Sequence, residues 1–219
     1  DKGEVYVEGA TFLNNQVNKN YGSAIYNGGN LTIVNSTFTG NFKPTENTAS
    51  AVVTNQGKNG KIYVINSTFY NNLHSDSTIA STQTVYDVYA ENGVANAAYV
   101  INSIYDAGFD ANVVSYGNVK AVAGTNIDTT AKTDGNQTYF LPTGEDTVIG
   151  GKPVTVSGKT LTYDGTNIAI SNLSTEQQTL LAGLIGKDQL GADRNLGSVE
   201  QPFYSVGAVN GVLLADENV

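Results

Sequence analysis

Val5-Tyr6-Val7-Glu8-Gly9-Ala10-Thr11-Phe12 is written again as Leu31-Thr32-Ile33-Val34-Asn35-Ser36-Thr37-Phe38, as Ile62-Tyr63-Val64-Ile65-Asn66-Ser67-Thr68-Phe69 and as Ala98-Tyr99-Val100-Ile101-Asn102-Ser103-Ile104-Tyr105. The aromatic positions that close the copies, Phe12, Phe38, Phe69 and Tyr105, are 26, 31 and 36 residues apart. A recurring phrase at that spacing is the mark of stacked structural units, each too small to bury its own apolar face. Within each copy the first and third residues are aliphatic and the second is not. Period two therefore places Val5 and Val7, Leu31 and Ile33, Ile62 and Val64, and Ala98 and Val100 on a core face, with Tyr6, Thr32, Tyr63 and Tyr99 on the opposite one. Val34, Ile65 and Ile101 interrupt this alternation and predict a bend. Gly9, Asn35, Asn66 and Asn102 follow as corner residues, of types that tolerate left-handed backbone.

A second phrase lies between copies, as Ser23-Ala24-Ile25-Tyr26-Asn27-Gly28-Gly29, Ser50-Ala51-Val52-Val53-Thr54-Asn55-Gln56-Gly57 and Val85-Tyr86-Asp87-Val88-Tyr89-Ala90-Glu91-Asn92-Gly93. Each reads as a short strand closed by an Asn/Gly turn. Two or three short strands per unit, with no helical period, predict an all-β, single-stranded parallel β-helix. Its coils occupy residues 1–150 and are clearest in 1–105. The stretches Gln16 to Gly22, Phe42 to Ala49 and Leu73 to Thr84 are loops leaving one edge. From Asp110 to Gly151 the pattern fades, with Asn112–Val114, Val119–Val122 and Thr138–Leu141 as candidate strands of degenerate coils.

Residues 151–219 read as a C-terminal cap of strands, one helix over 175–185 and a closing hairpin. Val154–Val156, Thr160–Tyr163 and Ile168–Ile170 alternate around Ser157-Gly158 and Asp164-Gly165, which predicts antiparallel hairpins. Ser174 is the N-cap of the helix, with Gln177 three residues on. Leu180/Leu184 and Leu181/Ile185 form its apolar stripe and Gly186 its stop. Tyr204–Ala208 and Val212–Ala215 flank Asn210-Gly211 as the last hairpin.

Phe12-Leu13-Asn14-Asn15, Phe38-Thr39-Gly40-Asn41 and Phe69-Tyr70-Asn71-Asn72 fit Phe-x-x-Asn, and Gly22-Ser23-Ala24-Ile25 is close to Gly-Gly-Ala-Ile. Together they resemble the repeats of polymorphic outer-membrane proteins and of the wider set of bacterial right-handed parallel β-helix surface proteins, which implies a right-handed coil. Asp188-Gln189-Leu190-Gly191-Ala192-Asp193-Arg194 followed by Gly197-Ser198-Val199-Glu200 resembles the closing signature of choice-of-anchor surface proteins, with Ser198 where that pattern has Ala. The resemblance implies an exported, cell-surface or extracellular protein that binds a polysaccharide or a surface glycoprotein without catalysis. A passive surface spacer is a second alternative.

A polysaccharide lyase or glycoside hydrolase on the same scaffold is the other. A pectin-type hydrolase requires clustered aspartates, Gly-His-Gly and Arg-x-Lys, because hydrolysis needs an acid and a base across the scissile bond. None is present: His74 is the single histidine and Arg194 the single arginine. Arg194 reads as a structural group, ion-paired with Asp188, Asp193 or Glu200 or bonded to backbone. Gly158-Lys159-Thr160 lacks the upstream glycine of a phosphate loop, and Leu141-Pro142-Thr143-Gly144 is one residue short of a sorting signal. No catalytic residue, metal site or cofactor is read from the chain.

Composition narrows the partners further. The 219 residues carry a net charge of −9, with only 14% charged residues and no basic cluster, which argues against a nucleic-acid partner. The absence of cysteine excludes disulfides and thiolate chemistry. No apolar run approaches the length of a membrane-spanning helix. The chain opens already inside a repeat, as expected of a processed form or a piece of something longer. Asn-x-Ser/Thr triplets occur at Asn30, Asn35, Asn66, Asn136 and Asn172, of which Asn35 and Asn66 read as corner positions rather than glycosylation sites. The candidate ligand-binding residues are Tyr6, Tyr63 and Tyr99, an outward aromatic column on which a sugar chain can stack. Tyr26, Tyr86 and Tyr89 form a second such group.

Overall fold

The computed structural model describes residues 3–18, 22–42, 50–56, 60–72, 85–90, 96–198 and 204–211. It is strand-rich, with parallel sheets and few helical residues. The first repeat supplies β1 (Glu4–Glu8), β2 (Thr11–Leu13) and β3 (Ile25–Asn27), and the second supplies β4 (Asn30–Val34), β5 (Thr37–Thr39) and β6 (Ser50–Asn55). The third gives β7 (Ile62–Ile65), β8 (Thr68–Tyr70) and β9 (Val85–Ala90). The fourth contributes β10 (Ala98–Ile101) and β11 (Ile104–Tyr105). A fifth, scarcely audible in the sequence, adds β12 (Val113–Tyr116) and β13 (Val119–Lys120).

Equivalent strands of successive repeats pair in parallel. The first sheet runs β1-β4-β7-β10-β12, the second β2-β5-β8-β11-β13 and the third β3-β6-β9. Register follows the sequence phrase: Val7 pairs with Ile33, Ile33 with Val64 and Val64 with Val100. Phe12 pairs with Phe38 and Phe38 with Phe69, and their rings stack with centroids 4.6 Å apart in both pairs. The inward residues of the three sheets form one apolar cluster that includes Leu31, Ile33, Phe38, Val53, Val64, Phe69 and Val88. Burying one such side chain stabilises the fold by about 1.5–3 kcal/mol.

The corners obey the expected chemistry. Gly9, Asn35, Asn66, Asn102 and Gly117 all have positive φ, between 49° and 59°. The serine after each asparagine corner binds back to the carbonyl before it, as in Ser36 Oγ to Val34 O at 2.8 Å and Ser67 Oγ to Ile65 O at 3.0 Å. Each of these hydroxyls also accepts the backbone N–H of the preceding repeat: Ala10 N donates to Ser36 Oγ, and Ser36 N to Ser67 Oγ. At the other end of the second sheet, Asn15, Asn41 and Asn72 form a side-chain ladder with amide-to-amide distances of 2.8 and 3.1 Å. Their asparagines also satisfy buried backbone carbonyls, as Asn72 does for Phe38 O. This is the physical content of the Phe-x-x-Asn phrase: an aromatic for the core, then an amide that tethers neighbouring corners.

After the repeats come β14 (Lys132–Asp134) and β15 (Gln137–Tyr139), the short helix α1 (Glu145–Val148), β16 (Val154–Ser157), β17 (Thr160–Tyr163), β18 (Thr166–Ala169) and α2 (Thr175–Leu184). β16, β17 and β18 form the expected antiparallel sheet, with positive φ at Gly158, Asp164 and Gly165 in its turns. Four expectations are corrected. Thr138 to Leu141 does not continue the parallel stack; β15 turns back on β14 around Gly135 as an antiparallel hairpin. α1 was not foreseen, because four residues carry no helical period. Tyr204 makes isolated antiparallel bridges to Gly151 and Asn195, and residues 205–209 bend without forming a strand. The expected partner Val212–Ala215 lies outside the described residues.

The fourth correction concerns Val34, Ile65 and Ile101, which keep the alternation and point to the outer face of the first sheet. There they meet Val154, Leu161, Ile168, Leu173, Leu181 and Ile185 in a second apolar cluster. α2 lies in this layer, along the flank of the first sheet, with its start held by Ser174 Oγ accepting Gln177 N at 3.3 Å. Leu181 and Ile185 are buried, whereas Leu180 of the other expected pair is exposed. Asn35 and Asn66 donate to the carbonyls of Leu184 and Ile185, closing the end of the helix onto the corner column. A third cluster, with Ile104, Ala121, Ile127, Phe140 and Val206, covers part of the second sheet.

Candidate functional site

Tyr63 and Tyr99 stack as their register demands, with centroids 5.4 Å apart, and Tyr6 and Thr32 complete their column. The column is not an open platform. Tyr63 is fully buried; its hydroxyl donates to Asn172 Oδ1 at 2.6 Å and lies 3.1 Å from Ala169 O. Tyr6 and Tyr99 are partly buried against the same C-terminal layer, and the Tyr6 hydroxyl has no partner among the described residues. Burial pushes the phenols of Tyr6 and Tyr63 well above the usual tyrosine range, with Glu8 adding to the effect in Tyr6 and Tyr99 adding to it in Tyr63. Tyr99 is raised for the same reason, helped by Tyr116. The physical cause of the cover is the apolar row Val34, Ile65 and Ile101 beside the tyrosines: a sheet apolar on both faces is covered on both.

The second sheet is also occupied. Thr37 Oγ1 donates to Gln189 Oε1 at 2.6 Å, Thr68 Oγ1 accepts Ala208 N at 2.9 Å, and Tyr70 packs edge-on against Phe140 at 4.9 Å.

The third sheet differs. Among the described residues, none of the apolar clusters or hydrogen bonds of the layer formed by residues 119–211 reaches it, although Asp110 N donates to Val88 O and Asn112 Nδ2 to Ala90 O at its β9 edge. Its outward register is Tyr26, Thr54 and Tyr89. Tyr26 is 52% exposed and its hydroxyl donates to Oε1 of Gln56, just past the end of β6. Thr54 is wholly buried between the two tyrosines. The ladder of β6 and β9 skips Val52 and Asp87, and this irregularity brings Tyr86 to the side of Tyr89, with centroids 5.4 Å apart. Tyr26 and Tyr89 stand two strands apart, about 10 Å along the stack. The result is an aromatic face with hydroxyl and amide groups at its margin.

Asp87 stands at this gap in the ladder. Its carboxylate is fully buried, and Oδ2 accepts the backbone N–H groups of Asp106, Ala107 and Gly108 at 2.9, 2.8 and 3.1 Å. Burial raises its pKa to about 7, against the three N–H donors that lower it. A carboxyl held at neutral pKa beside Asp106 has the electronic character of a general acid. Its full burial denies it a substrate, so its observable work is to hold the 106–108 loop under β9. His74 lies outside the described residues. Among those residues no group of three or more His, Cys, Asp or Glu side chains is placed to hold a metal ion.

Arg194 is the largest fully buried side chain. It makes no ion pair among the described residues. Nε donates to Lys187 O at 2.8 Å, and Nη2 to Asn35 Oδ1, Gly207 O and Ala208 O at 2.9 Å each. Of the carboxylates expected to pair with it, Asp188 accepts the backbone N–H groups of Leu190, Ala192 and Asn210, and Asp193 pairs with Lys187. Glu200 lies outside the described residues. Arg194 thus ties the closing signature to the corner column through Asn35.

Of the two aromatic groups expected to face outward, the first is covered, with Tyr63 fully buried, whereas Tyr26 of the second is exposed. The signal that separates them was present: the first-sheet tyrosines neighbour Val34, Ile65 and Ile101, whereas Tyr26 neighbours Asn27 and, across the strands, Thr54 and Gln56. No protein-family model, curated protein or solved structure matches the chain.

Proposed function

We propose that the chain is a right-handed parallel β-helix module of an exported bacterial surface protein, and that it binds a glycan on the outer face of the third sheet without catalysis. The observation that carries this reading is the group Tyr26, Tyr86 and Tyr89 on a face the C-terminal layer leaves uncovered. Aromatic faces beside hydroxyl and amide groups match a sugar, whose C–H faces are apolar and whose edges hydrogen-bond. The acidic net charge favours a neutral or basic glycan over an acidic one.

Glycan-array binding by the wild-type chain and by Tyr26→Ala and Tyr89→Ala variants tests this. Binding that both variants abolish while their melting temperatures stay near wild type supports the reading. Equal binding by all three places recognition elsewhere. Release of reducing or unsaturated sugars would instead favour the lyase or hydrolase alternative, and silence in both assays the passive spacer.

A further inference from the structure

We infer, on the reading of the third sheet as a glycan-binding face, that it takes a linear, uncharged, β-1,4-linked pyranose chain lying along the axis of the repeat stack, with three consecutive sugars over β3, β6 and β9. The outward positions Tyr26, Thr54 and Tyr89 form one register column, so the aromatic side chains succeed one another across the strands and not along any one of them. A ligand that touches both ends of the column therefore runs with the stack. Neighbouring strands lie about 4.8 Å apart. A β-1,4-linked chain in its extended, ribbon form advances one sugar over nearly the same distance. Each sugar is turned over relative to the last, so the first and third present like faces. An α-1,4-linked chain curls instead and leaves a straight column after one or two sugars.

The relief of the column suits that geometry. At one end, the bond from the exposed Tyr26 to Gln56 draws the ring over the sheet toward the neighbouring strand instead of letting it stand clear, which turns a ring face to solvent. Gln56 N in turn donates to Asn27 O at 2.8 Å, so the pairing of the two strands continues past Thr54 and holds the tether in place. Thr54, wholly buried, makes the middle rung low. At the far end Tyr86 and Tyr89 incline to each other by 34°, a tilted pair broader than a single ring. The middle sugar thus passes over a low rung between two aromatic ends, each able to take the apolar C–H face of a sugar. Charge decides the sugar class. Among the described residues the column and its margin carry Tyr, Thr, Gln and Asn side chains, and the carboxylate of β9, Asp87, is buried with its Oδ2 taken up by three backbone N–H groups. Among those residues no cation stands there for a uronate or a sialate, and the net charge of −9 repels both at longer range.

The test is calorimetric titration of the purified chain with β-1,4-linked oligomers of glucose and of N-acetylglucosamine, from disaccharide to hexasaccharide, with α-1,4-linked glucose oligomers and a glycan array in parallel. Affinity in at least one β-1,4 series should rise about tenfold from disaccharide to trisaccharide, as the second aromatic end is reached, and change by less than about twofold beyond the tetrasaccharide. The series that binds identifies the substituent accepted at the second carbon. Tyr26→Ala and Tyr89→Ala should each hold the trisaccharide at the affinity of the disaccharide; the exposed Tyr26 carries this arm if the variant of the half-buried Tyr89 fails to fold. Equal affinity for disaccharide and trisaccharide, equal affinity for α-1,4 and β-1,4 chains, or a trisaccharide bound as well by Tyr26→Ala as by the wild type overturns the inference. Array binding confined to branched, acidic or otherwise linked glycans overturns it too and leaves the glycan reading standing. Silence of the array and of every titration removes that reading and the inference with it.

Discussion

Phe38→Ala probes the stacking of the repeats directly. Phe38 is fully buried between Phe12 and Phe69, each 4.6 Å away, so truncation removes both ring contacts and opens a cavity in the shared core. Phenylalanine-to-alanine changes in such sites cost about 3–5 kcal/mol. At about 2–4 °C per kcal/mol for a chain of this size, the melting temperature is expected to fall by roughly 10 °C. Phe12, half-buried at the end of the column and with one stacked neighbour, is expected to cost about half as much when truncated. The sharper quantity is their coupling. A stacked aromatic pair contributes about 0.5–1.5 kcal/mol beyond area burial, so the double variant should be less destabilised than the sum of the singles by that amount. Chemical denaturation followed by circular dichroism measures all four corners of the cycle. Additivity within about 0.3 kcal/mol would mean that the two rings sit in separate cores, and the parallel stack would be refuted with it.

Asp87 sets a pH dependence. Its folded pKa, about 7, lies above the ordinary value of 3.8, so between those values the native state binds the proton more tightly than the unfolded chain. Its contribution is full below about pH 4 and is lost as pH rises through 7. Asp87→Asn keeps an oxygen for the three N–H donors and removes the titration; its melting temperature should vary less between pH 4.5 and 7.5 than that of the wild type, and an unchanged slope refutes the assignment. Tyr63→Phe deletes the hydroxyl bonded to Asn172 and should cost about 1 kcal/mol in a denaturant melt while leaving glycan binding intact. Loss of binding in that variant would return recognition to the first sheet. Asn66→Ala forces an ordinary residue to a φ of 49° and removes the bond to Ile185 O, so it should destabilise by about 2 kcal/mol or more; Asn66→Gly should recover part of that loss.

The parts of the fold legible from sequence are those where one residue type repeats for one reason. The left-handed corners accept only Gly or Asn cheaply, so Gly9, Asn35, Asn66 and Asn102 announce themselves, and the Phe column does so because a stacked core needs like shapes in register. The fifth repeat was faint because Ser115 and Lys120 stand where earlier copies carry an aliphatic or aromatic residue, and Gly117 and Asn118 take the places of Asn and Ser at its corner. Asn118 still does the work of the serine, accepting Ser103 N at 2.8 Å. The β14–β15 hairpin and α1 were missed because their strands and helix are three or four residues long, below the length at which periodicity discriminates. Arg194 was correctly read as structural, but its preference for carbonyls over carboxylates is a tertiary outcome: the nearby acids are already engaged by backbone N–H groups and Lys187.

The two tyrosine groups share one local signal and meet opposite fates, and the difference follows from what surrounds them. An outward tyrosine on a strand tolerates either water or a packed layer, since its ring is apolar and its hydroxyl polar. On the first sheet, Val34, Ile65 and Ile101 present an aliphatic stripe that water solvates poorly, and exposing such a stripe forgoes about 25 cal/mol for each Å² left uncovered. The antiparallel sheet and α2 remove that cost, and the tyrosines are covered along with the stripe. The hydroxyls then need partners: Tyr63 finds Asn172, while Tyr6, nearer the start of the stack, finds none among the described residues. On the third sheet the neighbours of Tyr26 are Asn27, Thr54 and Gln56, and no aliphatic stripe demands a lid. A tyrosine face that no aliphatic stripe obliges the C-terminal layer to cover, with part of its polar margin ordered by the Tyr26–Gln56 bond, is therefore the surface on which the proposed glycan binding rests.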